Sequence, residues 1–226
     1  MKRILAAVSI LLATSSVACA QDDWSGLYLG VNAGVGFGQF SHIHENDPDD
    51  PFFDERVKQS PNDFIGGGQI GYRHQFENIV LGAELSGGIS ALKGVTTFNS
   101  FGADRLREME LQNYVSATAE LGVALGDGWL ASTRAGFVGG SIRTFGKNLS
   151  RNIYGGDTSF ENGWTVGLGV EKKLSDRVSF GVSYDYMRFN GSDRVVPCIN
   201  AGCDVGFSNV EADVHTVRAR LNFIAW

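Results

Sequence analysis

The sequence predicts an all-β protein, an eight-stranded antiparallel transmembrane β-barrel with short periplasmic turns and four longer external loops. Three observations predict it. Apolar and polar residues alternate through eight separate segments, the period-two pattern of strands with two unlike faces. The chain opens on an export signal. The connections between segments alternate between short and long, the asymmetry of an outer-membrane barrel.

The export signal occupies residues 1–20. Lys2 and Arg3 form its charged start, and residues 4–13 form an apolar run too short to cross a bilayer as a helix. Ala18-Cys19-Ala20 meets the small-x-small rule, with cleavage before Gln21. That leaves 21–226 as one barrel domain. A rival reading makes Cys19 a lipid-modified N-terminus. It would require Ser16-Val17-Ala18 to serve as the lipobox, with Ser16 where Leu is usual.

The strands are expected at 26–38, 64–75, 79–91, 112–125, 129–142, 163–174, 178–189 and 213–226. In the first, Leu27, Leu29, Val31, Ala33, Val35 and Phe37 share one face. Tyr28, Gly30, Asn32, Gly34 and Gly36 share the other. In the sixth, Trp164, Val166, Leu168 and Val170 oppose Thr165, Gly167, Gly169 and Glu171. In the seventh, Val178, Phe180, Val182, Tyr184 and Tyr186 oppose Ser179, Gly181, Ser183 and Asp185. The last runs through Val217, Ala219, Leu221 and Phe223. Pro48, Pro51, Pro61 and Pro197 all fall outside these segments, as residues that cannot donate to a ladder should.

The short connections are 76–78, 126–128 and 175–177. The long ones are 39–63, 92–111, 143–162 and 190–212, which places them outside the cell. A lipocalin-like soluble barrel also alternates, but with its apolar face inward. Three features favour apolar-out. The polar face is rich in Gly, Ser and Thr, which suits a narrow lumen. Trp24, Phe37, Phe76, Trp129, Trp164, Tyr186, Phe189 and Trp226 lie toward strand ends, where an interfacial girdle would sit. The chain also stops on an aromatic.

Composition agrees. Mean hydropathy is near zero, as expected when only alternate strand residues meet lipid. Once Lys2 and Arg3 are lost from 19 basic residues, against 25 acidic ones, the mature chain is more acidic than the full chain's −6. That argues against nucleic acid as a partner. Cys19 leaves with the leader, and Cys198 and Cys203 remain, close together in Cys-Ile-Asn-Ala-Gly-Cys. In an oxidising compartment such a pair is most simply a disulfide.

The segment Trp24-Ser-Gly-Leu-Tyr-Leu-Gly-Val-Asn-Ala-Gly resembles the start of the Omp25/Omp31-like outer-membrane proteins of alphaproteobacteria, which are small OmpA-like barrels. So do Gly66-Gly-Gly-Gln-Ile-Gly-Tyr72, Gly82-Ala-Glu84, Gly163-Trp-Thr-Val-Gly-Leu-Gly-Val-Glu171 and Leu221-Asn-Phe223. The resemblance spans the mature chain and carries strand patterns rather than a catalytic signature. It implies a structural and surface-antigen role, with heme or host surfaces bound in some relatives through variable loops. The implied partners are outer-membrane lipid, lipopolysaccharide and the barrel-assembly machinery. Two positions depart from the family. Glu120 stands where a basic residue is usual, and Leu221-Asn-Phe-Ile-Ala-Trp226 is one residue longer than the usual ending.

Candidate sites are few. Gly66-x-Gly-x-x-Gly71 matches a dinucleotide fingerprint by letters, but strand alternation runs straight through it, without the required helix. His42, His44 and Glu45, followed by Asp47, Asp49 and Asp50, are the weak metal candidates. Against them, the segment reads as a solvated acidic loop. No cofactor is expected, and no nucleophile elbow supports a hydrolase. The more specific signal is charge on the inward face: Arg73, Glu84, Glu120, Arg134, Glu171, Lys173, Asp185, Arg218 and Arg220. Glu120 and Arg134 are equidistant from Asp127 at their hairpin centre, so they should face each other. An ion path is one reading of this set. An ion-paired plug is the other, and the small interior of eight strands favours it. The function expected is therefore a non-porin envelope barrel with surface presentation. The alternatives are a lipid A-modifying enzyme, or a heme-binding, metal-binding or adhesion barrel.

Overall fold

In the computed structural model the alternating segments become strands whose residues point outward and inward by turns through the membrane band. The structure describes residues 23–44, 55–100, 103–149, 153–191, 194–197 and 204–225. The strands are β1 (Gly26–His44), β2 (Glu55–Gln59), β3 (Asn62–Phe76), β4 (Ile79–Ser90), β5 (Lys93–Ser100), β6 (Ala103–Gly126), β7 (Trp129–Asn148), β8 (Ile153–Ser175), β9 (Val178–Phe189), β10 (Arg194–Pro197) and β11 (Asp204–Ile224). The described residues contain no helix.

Eight of these strands close a ring in the order β11, β9, β8, β7, β6, β4, β3, β1, with β1 pairing back onto β11. Every pairing is antiparallel. At the closing seam Val31 lies opposite Leu221 and Val35 opposite Val217. Closure satisfies each backbone donor and acceptor where lipid offers none. The periplasmic ends turn tightly. Asp127 (φ 48°) and Gly128 (φ 70°) both take the left-handed conformation, the geometry of a type I′ hairpin that matches strand twist.

Apolar side chains face lipid: Leu29, Val31, Leu81, Leu85, Leu121 and Leu168 are all exposed. Two aromatic belts bound this band. Phe76, Trp129, Phe180 and Phe223 lie toward the periplasmic side, and Phe37, Phe64, Phe137, Phe160 and Trp164 toward the outer side. Two residues expected in the girdle are elsewhere. Trp24 and Phe189 are buried inside the barrel, because each sits at a strand end on the inward parity.

The external connections differ most from expectation. Strands run far into the segments 39–63, 92–111, 143–162 and 190–212. The β6–β7 ladder continues to Arg105↔Asn148, and β7 pairs with β8 as far as Asn148↔Ile153. Shorter strands flank these, with β2 on β1, β5 on β6 and β10 on β11. The barrel wall therefore rises beyond the membrane. Alternation fades there because the outward face meets water and no longer needs apolar residues. A bulge between Leu111 and Asn113 in β6 also shifts the parity. Below it Tyr114, Ser116 and Glu120 point inward, and above it Met109 and Leu111 do.

The lumen is consequently layered. Phe40, Ile65, Leu92, Met109, Leu111, Ile142, Phe189 and Val214 belong to an apolar core at its outer end. Trp24, Val80 and Leu130 close the periplasmic end. Between them lies the polar interior. In β11, Phe223 continues the outward series while Ile224 points inward, so the lipid-facing rhythm ends on Phe223. Trp226 lies outside the described residues, as do residues 1–22, Glu45, Cys198 and Cys203.

Candidate functional site

The polar interior is built from short inward residues that leave room for long charged ones. A side chain at Gly71 would collide with the Tyr28 ring, and one at Gly167 with the Asp185 carboxylate. These two glycines hold open the space that the network fills.

Its lower half centres on Arg73, only 1% exposed. The guanidinium forks onto two carboxylates at once. Nε and Nη2 donate to Glu120 at 2.8 and 3.0 Å, and Nη1 and Nη2 donate to Glu171 at 3.0 and 2.7 Å. Ser179 Oγ donates to Glu171 at 3.1 Å and Asn222 Nδ2 at 3.0 Å. The Tyr28 ring covers the guanidinium at 4.5 Å. Charge-assisted, bidentate pairs of this kind are the strong ones.

The upper half joins Glu84 and Asp185. Asp185 receives Arg134 at 2.8 Å and Arg218 at 2.8 Å. Arg218 also donates to Tyr114 Oη at 2.5 Å and to Asn32 Oδ1 at 3.2 Å. Glu84 accepts from Tyr28 Oη at 2.5 Å and from Arg220, and lies 3.8 Å from Arg134. An amide relay of Asn32, Gln69 and Asn222 stitches the halves, with Gln69 accepting from Asn32 at 2.6 Å and donating to Asn222 at 2.8 Å. All of the four arginines and four carboxylates are buried, and their formal charges cancel.

Two sequence expectations need correction. Glu120 and Arg134 are indeed opposite each other in register, yet their ion pairs lie elsewhere, on Arg73 and on Asp185. Each pair skips one strand, β4 between Arg73 and Glu120 and β8 between Arg134 and Asp185, because the tight curvature of an eight-stranded wall brings the tips of long inward side chains together. Lys173 is not part of the network. It is half-exposed at the periplasmic rim, where its Nζ donates to the Asp23 backbone carbonyl. Beside it, hydrogen bonds from Ser25 hold the Asp23 carboxyl below the usual carboxylate range.

His42 and His44 lie on β1 opposite Val57 and Glu55, on a strand rather than in a loop. Among the described residues no three His, Cys, Asp or Glu side chains are placed to hold a metal ion. Gly66, Gly68 and Gly71 lie within β3. Sequence reasoning missed the uncharged members of the network, Tyr28, Asn32, Gln69, Tyr114 and Asn222. Inward parity marked them, but partner choice across a lumen has no linear signature.

The model of the outer membrane protein beta-barrel domain matches residues 4–223. The chain belongs to that family. The relatives of this outer-membrane barrel include the 31 kDa outer-membrane immunogenic proteins of Brucella melitensis and Brucella suis. Each is 28% identical over 249 residues, spanning 97% of this chain and 98% of the relative. The outer membrane protease OmpT of Escherichia coli shares the fold, with TM-score 0.56 at 10% identity, covering 92% of this chain and 99% of that one. Membership of the family places the protein in the outer membrane.

Proposed function

We propose that this barrel is a closed, non-conducting envelope protein whose work is done by its outer surface. The observation that carries the reading is the charge-balanced network, sealed between an apolar core above and a Trp24 layer below. An ion moving through would have to break bidentate pairs in a confined interior and then cross an apolar layer. Both steps are costly. The extracellular wall, filled by its own core, holds the external segments on a firm rim and suits them to surface presentation. The immunogenic character named for the Brucella relatives fits that role. After export and removal of residues 1–20, assembly falls to the barrel-assembly machinery, and lipopolysaccharide is the neighbouring lipid. Contact with a host surface or heme, implied by the family resemblance, belongs to the variable external segments.

Planar-bilayer recording tests the reading. Purified, folded protein should show no sustained conductance. Long-lived openings selective for one sign of ion would make the network an ion path instead.

A further inference from the structure

The lipid-facing surface carries a second cluster, separate from the lumen. On the outside of β8, β9 and β11, Trp164, Tyr184, Tyr186, Arg188, Asp213 and His215 meet. Tyr184 Oη and His215 Nδ1 are 2.7 Å apart, and Tyr186 Oη donates to Asp213 at 2.5 Å. The Tyr186 ring packs 5.2 Å from Trp164 and 5.0 Å from His215, centroid to centroid. Arg188 is hydrogen-bonded to Tyr186 and ion-paired more loosely with Asp213 at 3.9 Å and Glu211 at 3.7 Å.

Its height is informative. A strand tilted by about 40° climbs roughly 2.5 Å per residue. Counted from Val178, Tyr186 and Arg188 then stand roughly 20–25 Å above the periplasmic turn, and His215 and Asp213 match them when counted from Ile224. An outward apolar band is about 25 Å tall. The cluster therefore straddles the outer-leaflet boundary, where β1, β3 and β7 present the bare rings of Phe37, Phe64 and Phe137. An interfacial girdle needs aromatic rings. It does not need an arginine, a histidine and carboxylates interleaved with them.

We propose that this patch docks the phosphorylated sugar headgroup of an outer-leaflet glycolipid, that is, the lipid A part of lipopolysaccharide. The inference rests on the outer-membrane placement and deepens the lipid partnership proposed above. The rings of Tyr184, Tyr186 and Trp164 offer flat faces for the C–H side of a pyranose, with polar tips at the wet edge. Arg188 offers a planar fork for phosphate. Asp213 and Glu211 accept hydrogen bonds from sugar hydroxyls. The same carboxylates repel the phosphate of any headgroup, and a glycerophospholipid has no pyranose face to offset this on the rings, which biases the patch against it.

Native mass spectrometry of the folded full-length barrel in detergent tests this, with lipid A and phosphatidylglycerol as probes at equal mole fraction. Wild-type protein should retain lipid A about tenfold better than phosphatidylglycerol, and Arg188→Ala should lose about that factor, the scale of one charge-assisted hydrogen bond. Tyr184→Leu should weaken lipid A alone. Asp213→Asn should admit phosphatidylglycerol. His74→Ala, outward but at the periplasmic end, should change nothing. Soluble glucosamine 1-phosphate should not displace lipid A; displacement would point to a free phosphosugar instead. Equal retention of both lipids by wild type, or unchanged lipid A on both Arg188→Ala and Tyr184→Leu, overturns the proposal. All variants alter side chains that are exposed or half-buried on the outer face, and unboiled gels confirm folding. Bilayer conductance reports on the closed lumen independently, so failure of either reading is distinguishable from failure of the other.

Discussion

The partner choice of Glu120 can be measured. Two arginines compete for it on paper, Arg134 by strand register and Arg73 by contact. Double-mutant cycles separate them. Arg73 donates two hydrogen bonds to Glu120, and both side chains are at most 1% exposed. Breaking a buried pair by removing one partner costs about 3–5 kcal/mol, because the other charge is left uncompensated. Glu120→Gln should therefore lower unfolding free energy by about that amount, less where lumen water relaxes the site. Arg73→Met should cost more, since it strands Glu171 as well. The triple variant with Glu120→Gln and Glu171→Gln should recover part of the loss. The Arg73–Glu120 coupling should reach about 2 kcal/mol or more, and the Glu120–Arg134 coupling should stay under about 1 kcal/mol. Reversible urea unfolding in lipid vesicles, followed by tryptophan fluorescence, gives the four corners of each cycle. A larger coupling for Glu120–Arg134 than for Arg73–Glu120 would refute the network described here.

Other consequences follow from the layered lumen and the outer segments. Phe189→Ala should cost about 3–5 kcal/mol as a cavity in the outer apolar core, and limited proteolysis should then cut the extracellular wall while the membrane band survives; an unchanged digestion pattern would count against that core. Cys198 and Cys203 should form a disulfide that orders only a small ring, adding little to barrel stability, so thiol reagents should fail to label unreduced intact cells. Deleting residues 47–54 should leave the shift in gel migration on boiling intact while altering antibody or ligand binding, since connecting segments carry recognition; loss of the shift would reveal a structural role for this segment.

The membrane band was legible in the sequence. Val31, Leu121 and Leu168 had to face lipid and Asn32, Glu120 and Gly167 the lumen, because a strand has only two faces and a one-residue slip would exchange them. The periplasmic turns were legible for a related reason, since Asp127-Gly128 can take the positive φ values that a two-residue hairpin requires. The external wall was not. Above the bilayer the outward side meets water, the lipid constraint lapses, and the bulge at Leu111 and Asn113 reverses parity without changing composition.

Within the site, the sequence determined which residues enter the lumen, since period-two alternation is a local property of each strand. Only the tertiary structure decided who meets whom. Arg73 takes Glu120 and Glu171, and Arg134 takes Asp185, because curvature and closure bring distant strands as near as adjacent ones. Pairing of β9 with β11 likewise set Tyr184, Tyr186, Asp213 and His215 side by side on the outer face. Their neighbourhood comes from the register of β9 on β11 and from a common height at the membrane boundary, and a linear chain records neither.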